Sequence, residues 1–105
     1  MKKMTLAIDL DGVICTEEKT FEKPLALPIP GAVEAVNWFF DEGHTVLIWT
    51  ARGWEQYRMT IDWLSRNGFR FHSLLMGKPI VDYFIDDRAI SFTDWATTRS
   101  RFEKS

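Results

Sequence analysis

The chain has 105 residues, of which 46% are hydrophobic, and its five Trp and eight Phe supply enough apolar volume for a folded core rather than a disordered chain. That length suits one core, so residues 1–105 are expected to form a single domain with no room for a second. The net charge of −2 gives no electrostatic footprint for nucleic acid or an anionic membrane surface.

Lys2 and Lys3 open the chain, but the apolar run behind them is broken by Asp9 and Asp11. That run is too short and too polar for a signal peptide or a membrane span, so a cytoplasmic protein is expected. The first strand covers Met4 to Asp9, with Leu6, Ala7 and Ile8 reading as its buried end. Gly12 then lets the chain turn. Cys15 is the single cysteine, which forbids an intrachain disulfide and suits a reducing compartment. Thr16 to Ile29 is a loop, or flap, over 16–29; its Pro24 and Pro28, with Pro30 just beyond, rule out a helix. A loop this long in so small a domain is usually functional or disordered.

Pro30 and Gly31 open the first helix, in which Val33, Val36 and Phe40 share a face and Gly43 supplies the stop. The second strand, His44 to Trp49, is a continuous apolar run, as in a strand buried on both faces of a parallel sheet. Trp54 to Asn67 reads as the second helix, with Tyr57, Ile61 and Leu64 on one side. A third strand lies near Phe71 to Leu75, followed by a turn or short helix at Lys78 to Asp82. A fourth strand is expected at Tyr83 to Ile85, a short fifth at Ile90 to Phe92, and a closing helix from about Asp94 to Glu103.

This alternation predicts an α/β fold of Rossmann-like type: three layers, a mainly parallel sheet of four to five strands, and helices on both faces. Ligands of such sheets bind beyond the carboxyl ends of the strands. Asp9, Asp11, Thr50, Lys78, Asp86 and Asp87 all fall at or just after expected strand ends. Asp9 and Asp11 point to the same side if the chain stays extended. Two such carboxylates repel each other, burial penalises both, and a divalent cation would remove the conflict. The plainer reading of this pair alone is an acidic surface turn.

The stretch Asp9-Leu10-Asp11-Gly12-Val13 resembles the first motif, D-x-D-G-[TV], of the haloacid dehalogenase superfamily. Three further stretches resemble its later motifs in the right order. They are Val46-Leu47-Ile48-Trp49-Thr50, Lys78 in Gly-Lys-Pro, and Phe84-Ile85-Asp86-Asp87. The resemblance implies a strand order with the first strand central, the second and third to one side and the fourth to the other. It implies a phosphatase in which Asp9 is the nucleophile and forms an aspartyl-phosphate. It makes Asp11 the acid and then the base, and its aspartate is absent from most dehalogenases of the superfamily. Thr50 and Lys78 would bind the phosphoryl group. The metal would be Mg2+, ligated by Asp9, the Asp11 carbonyl, Asp86 and, directly or through water, Asp87.

The chemistry needs such a set. A carboxylate attacking a phosphate monoester brings like charges together, at roughly 4 kcal/mol per unit pair near 4 Å and an effective dielectric of about 20. Against a dianion that is roughly 8 kcal/mol, about six orders of magnitude in rate. Mg2+ and Lys78 would cancel the repulsion, while backbone N–H groups near Gly12 and Ala51, with the Thr50 hydroxyl, would hold phosphoryl oxygens. Lys78 alone reads as a solvated lysine, Thr50 as a strand end and Asp87 as a cap. Arg52 either contacts substrate or pairs with an acid. Asp82 and Arg88 read as structural.

Other chemistries fit less well. Phe21, six residues past Cys15, stands where a cysteine phosphatase needs Arg. His44, His72 and one Cys make no zinc set, and neither a G-x-x-x-x-G-K-[ST] nor a G-x-G-x-x-G pattern is present. Most superfamily phosphatases carry a cap domain after the first motif or between the second and third, and neither gap here holds one. The resemblance is therefore to a capless member acting on a small phosphorylated substrate, with a phosphorylated sugar as one class. The alternatives are a phosphate- and magnesium-binding regulatory module and a polynucleotide 3′-phosphatase. Phe21, Leu25, Leu27 and Ile29 are apolar on a loop, which predicts that it folds over its own site or packs against a second copy in a homo-oligomer.

Overall fold

The structure, a computed structural model, describes residues 2–103. Strand β1 (Thr5–Asp9) pairs in parallel with β2 (Thr45–Trp49), and β2 with β3 (Ser73–Leu75). The register sets Asp9 beside Trp49 and Trp49 beside Leu75, so the three strands end together. Each crossover carries a helix, α1 (Ala32–Asp41) between β1 and β2 and α2 (Tyr57–Arg66) between β2 and β3. A third helix, α3 (Trp95–Glu103), closes the described chain. None of these helices is long and apolar enough to cross a membrane.

Of the residues expected on the buried helix faces, Val36 and Leu64 are buried, Val33, Phe40 and Ile61 are half-buried and Tyr57 is exposed. The buried faces are completed by Ala32, Ala35 and Phe39 in α1 and by Thr60 and Trp63 in α2. In α1, Val36 and Phe39 are fully buried, and α1 lies against β2 and α3. Phe39 packs edge-on to Phe102 of α3. Val46 and Ile48 alternate inward along β2, with Leu10, Ile14 and Leu64 completing the centre of the core. Gly31, at φ 83°, turns the chain into α1, a conformation that side chains rarely adopt. The Asp94 carboxylate accepts the Thr97 N–H at 2.7 Å and the Thr97 hydroxyl at 3.0 Å, capping α3. Those bonds, the backbone one foremost, hold its carboxyl below the usual range.

The sheet has three strands in the order β1-β2-β3, not four to five. The expected fourth strand (Tyr83–Ile85), fifth strand (Ile90–Phe92) and short helix at 78–82 do not form. β1 is accordingly an edge rather than the centre. Local contacts hold the 79–92 stretch in another shape. Pro79 offers no N–H, and the Asp86 side chain accepts the Arg88 N–H at 2.6 Å in a turn that competes with a ladder. Phe84 lies on Trp49 at 5.9 Å between ring centres, while Ile85 is 98% exposed.

The proline-rich loop also departs from expectation. Thr20–Leu25 is a short 3-10 turn with Pro24 inside it. Such a turn needs few hydrogen bonds, so a proline near its end removes little. The loop stem is closed by Thr16 N–H to Leu27 O at 2.9 Å and Ile29 N–H to Ile14 O at 2.9 Å. The indole of Trp63 in α2 donates to Ala26 O at 2.9 Å and fixes the far side. Phe21 and Leu25 project outward at 77% and 76% exposure, Leu27 is exposed too, and Ile29 is half-buried.

Candidate functional site

The strand ends fix the site. Leu10, fully buried, continues β1 by donating to Trp49 O at 3.2 Å. Its own carbonyl then receives the N–H groups of Val13, Ile14 and Cys15, which folds residues 10–15 into a tight turn. Gly12 sits in that turn at φ 88° and donates its N–H to Cys15 O at 2.8 Å. The Gly12 N–H itself is thus engaged within the turn. Ala51 is exposed beside the buried Thr50.

Three loops are tied together past the sheet. Thr50 donates its N–H to Leu75 O at 3.0 Å, and Lys78 donates its N–H to Thr50 O at 2.8 Å. Gly77 N–H reaches Arg52 O at 3.0 Å. These bonds carry Lys78 back to β1, where its ammonium lies 3.4 Å from Asp9 Oδ2. The same ammonium sits over the rings of Trp49 and Phe84, at 5.0 and 4.8 Å from their centres. An aromatic slot of this kind holds a cation without discharging it.

Asp11 is the most heavily partnered side chain of the site. Arg52 grips both of its oxygens, Nη2 to Oδ1 at 2.7 Å and Nε to Oδ2 at 3.1 Å. The Thr50 hydroxyl donates to Oδ2 at 3.3 Å, the Cys15 thiol to Oδ1 at 3.6 Å, and the Lys23 ammonium lies 3.6 Å from Oδ1. Burial pushes the Asp11 carboxyl up, but the hydrogen bond and charge of Arg52, with the charge of Lys23, outweigh it and leave it below the usual range. The same burial, with the Asp11 charge beside it, pushes the Cys15 thiol up to about 12. Cys15 is therefore a buried thiol and not a thiolate nucleophile.

The arrangement brings together Asp9, Asp11, Thr50, Arg52 and Lys78. Arg52 takes the acid-pairing role of the two expected for it, and its guanidinium faces Asp11 rather than solvent. Lys23 was legible only as one charge in a loop; the signal that marks it is its place in the segment directly after Asp9 and Asp11. Thr60, which accepts Arg52 Nη1–H at 2.9 Å, carried no signal, because it is one turn inside a helix of ordinary composition.

The second acidic pair stands apart. Asp86 and Asp87 lie on the exposed 79–92 stretch, Asp87 with its nearest cation Arg88 at 3.9 Å. Asp86 lines the same cavity of about 590 Å³ as Asp9 and Lys78, a cavity otherwise walled by apolar groups such as Ile8, Phe92 and Trp95. Among the described residues, no three His, Cys, Asp or Glu side chains converge in a set that could hold a metal ion. Asp9 and Asp86 offer hard oxygen donors of the kind magnesium takes.

No protein-family model matches the chain, and no curated protein matches it. Solved structures do. A structural-genomics target from Vibrio cholerae is 23% identical, with a TM-score of 0.74 over 92% of this chain and 88% of that one. A conserved protein from Bacteroides thetaiotaomicron is 28% identical, with a TM-score of 0.71 over 98% of this chain and 92% of that one. The third is a D,D-heptose 1,7-bisphosphate phosphatase from B. bronchiseptica, complexed with magnesium and phosphate. It is 20% identical, with a TM-score of 0.59 over 84% of this chain and 54% of its own, so this chain spans about half of that phosphatase. These likenesses, the last to a member of the haloacid dehalogenase superfamily, show a haloacid dehalogenase-like fold.

Proposed function

We propose that the chain is a magnesium-dependent phosphomonoester hydrolase that works through an aspartyl-phosphate on Asp9. The observation that carries this reading is the convergence of Asp9, Asp11, Thr50 and Lys78 past the carboxyl ends of the sheet, with cations on both aspartates. The shared fold of a phosphatase solved with magnesium and phosphate supports it.

Asp9, at the end of β1 and only partly buried, attacks phosphorus through a carboxylate oxygen. Lys78 holds the phosphoryl oxygens and offsets the charge that the attack brings together. Asp11 in its protonated form gives its proton to the leaving oxygen and, left as a carboxylate, takes one from the water that opens the acyl phosphate. Held as a carboxylate by Arg52 and Lys23, it is set for the second of these tasks. A magnesium ion, held by Asp9 and Asp86 with help from the Asp11 carbonyl and Asp87, would supply further positive charge at the phosphate. The substrate is a small phosphorylated metabolite, with a phosphorylated sugar as the leading class. The exposed Phe21, Leu25 and Leu27 provide a surface for self-association.

The exposed position of Asp86 and Asp87, with the Asp86 carboxylate accepting the Arg88 N–H, favours a second reading, a phosphate- and magnesium-binding regulatory module with little or no turnover. One experiment separates the two. Phosphate release from a panel of monoesters with magnesium present should be measurable for the wild type and fall at least a hundredfold in Asp9→Asn. Release by Asp9→Asn above about a hundredth of the wild-type rate refutes the nucleophile; no release by the wild type on the whole panel leaves the binding module.

A further inference from the structure

We propose that Arg52 is a positioning residue: it fixes the plane and place of the Asp11 carboxylate and does not touch substrate. The proposal rests on the phosphatase reading above and deepens it.

Three observations carry it. First, Arg52 is only 6% exposed, with its guanidinium on both oxygens of Asp11. Second, its five N–H donors face five acceptors. Nε and Nη2 reach the two oxygens of Asp11, Nη2 also reaches the Cys15 sulfur at 3.7 Å, and Nη1 reaches the Thr60 hydroxyl at 2.9 Å and the Met59 sulfur at 3.9 Å. No donor is left for a phosphate. Third, Thr60 is itself fully buried and anchored, its hydroxyl donating to Gln56 O at 2.8 Å within the start of α2.

The physical need is plain. Asp11 follows the strand on a tight turn, so the sheet does not fix its carboxylate. A two-point fork holds a carboxylate in one plane, which a lysine ammonium cannot do. Lys23 adds a charge at 3.6 Å from one oxygen only. The chain Gln56–Thr60–Arg52–Asp11 therefore transmits the rigidity of α2 to the acid–base group. A displacement of about 1 Å in such a group can cost a hundredfold in rate.

The test is a double-mutant cycle on kcat for an aryl phosphate, whose leaving group departs without a proton, so that Asp11→Asn loses only the base step and its residual rate serves as the reference. Arg52→Lys should lower kcat by about 10- to 100-fold with KM within about threefold of wild type. Thr60→Val, which keeps the charge and removes only the hydroxyl, should show a smaller loss of the same kind, roughly threefold or more. In the Asp11→Asn background each substitution should change kcat by less than about twofold, because its route to the reaction is already gone. Thermal melts establish that each protein is folded, and Thr60→Val completes the cycle if Arg52→Lys does not fold. A rise in KM with kcat unchanged would make Arg52 a substrate ligand and overturn the proposal. Losses that stay additive in Asp11→Asn overturn it too, since they place the effect elsewhere. A wild type without turnover on any monoester is a different failure: it removes the phosphatase reading and this inference with it.

Discussion

Removing the charge of Lys78 is the sharpest probe of the electrostatics of this site. Its ammonium lies 3.4 Å from Asp9 Oδ2 and over the rings of Trp49 and Phe84. At that distance and an effective dielectric of about 20, one unit pair is worth roughly 5 kcal/mol. A phosphoryl oxygen approaching Asp9 meets the same ammonium at a similar separation. Part of the attraction already exists toward Asp9 in the resting protein, so only the surplus gained in the transition state accelerates the reaction. A surplus of about 3–4 kcal/mol corresponds to 10²- to 10³-fold in kcat/KM, the range found when one donor to a developing oxyanion is lost. Lys78→Met keeps an unbranched side chain of similar length and deletes the charge that faces Asp9 and the two rings. Initial rates against substrate concentration should show that loss, with Lys78→Arg recovering part of it. If Lys78→Met keeps more than a tenth of the wild-type kcat/KM, the ammonium is a structural partner of Asp9 and the phosphoryl-binding role is wrong.

Other expectations follow from the same geometry. Cys15 is buried, with its thiol held up to about 12, so native protein at pH 8 should fail to react with a thiol reagent and react at once in denaturant; a fast native reaction would place it at the surface. The depressed pKa of Asp11 stabilises the fold above the ordinary carboxylate value of 3.8 and loses that contribution as pH falls through the lower, folded value. Melting temperature should therefore drop below about pH 4, and more shallowly in Asp11→Asn; equal slopes would mean that the ion pair adds no stability. Replacing both Phe21 and Leu25 with Ser should lower the mass seen by light scattering at high concentration, whereas a wild type that stays monomeric across the series removes the self-association claim.

Much of the framework was legible because periodicity reports burial. Val46 and Ile48 read as a buried strand, and Val36 with its neighbours read as one face of a helix, because burial of those side chains is what stabilises those elements. Asp9, Asp11, Thr50 and Lys78 were legible because strand ends set their place and each carries an unusual group there. Tyr83–Ile85 misled because an apolar triplet before two acids has the composition of a strand, yet composition does not say whether a partner edge is reached. Here a side-chain turn at Asp86 and the ring contact of Phe84 with Trp49 hold the backbone instead. Arg52 was legible only in part and Thr60 not at all, since the Arg52–Asp11 and Arg52–Thr60 pairings span 41 and 8 residues and have no sequence period.

The charge at the site runs against the charge of the chain. The protein carries −2 overall, which taken alone disfavours an anionic ligand. Around the strand ends, however, three cations (Lys23, Arg52 and Lys78) pair with Asp9 and Asp11, while Asp86 lines the same cavity as Asp9. The three are not equivalent. Arg52 pairs with Asp11 and spends its remaining donors on Cys15, Thr60 and Met59, so it neutralises that acid and offers nothing further. Lys78 is bound to Asp9 by a single contact, and an arriving phosphate can share it. Lys23 comes from the proline-stiffened loop, is tied to Glu18 O at 3.2 Å, and stands farther from Asp11 than a hydrogen bond requires. It is thus the cation with charge to spare and the one whose position depends on the loop. With Arg52 on Asp11 and Lys78 on Asp9, Lys23 is the third cation of the site, and the loop that brings it to Asp11 is more than a connector.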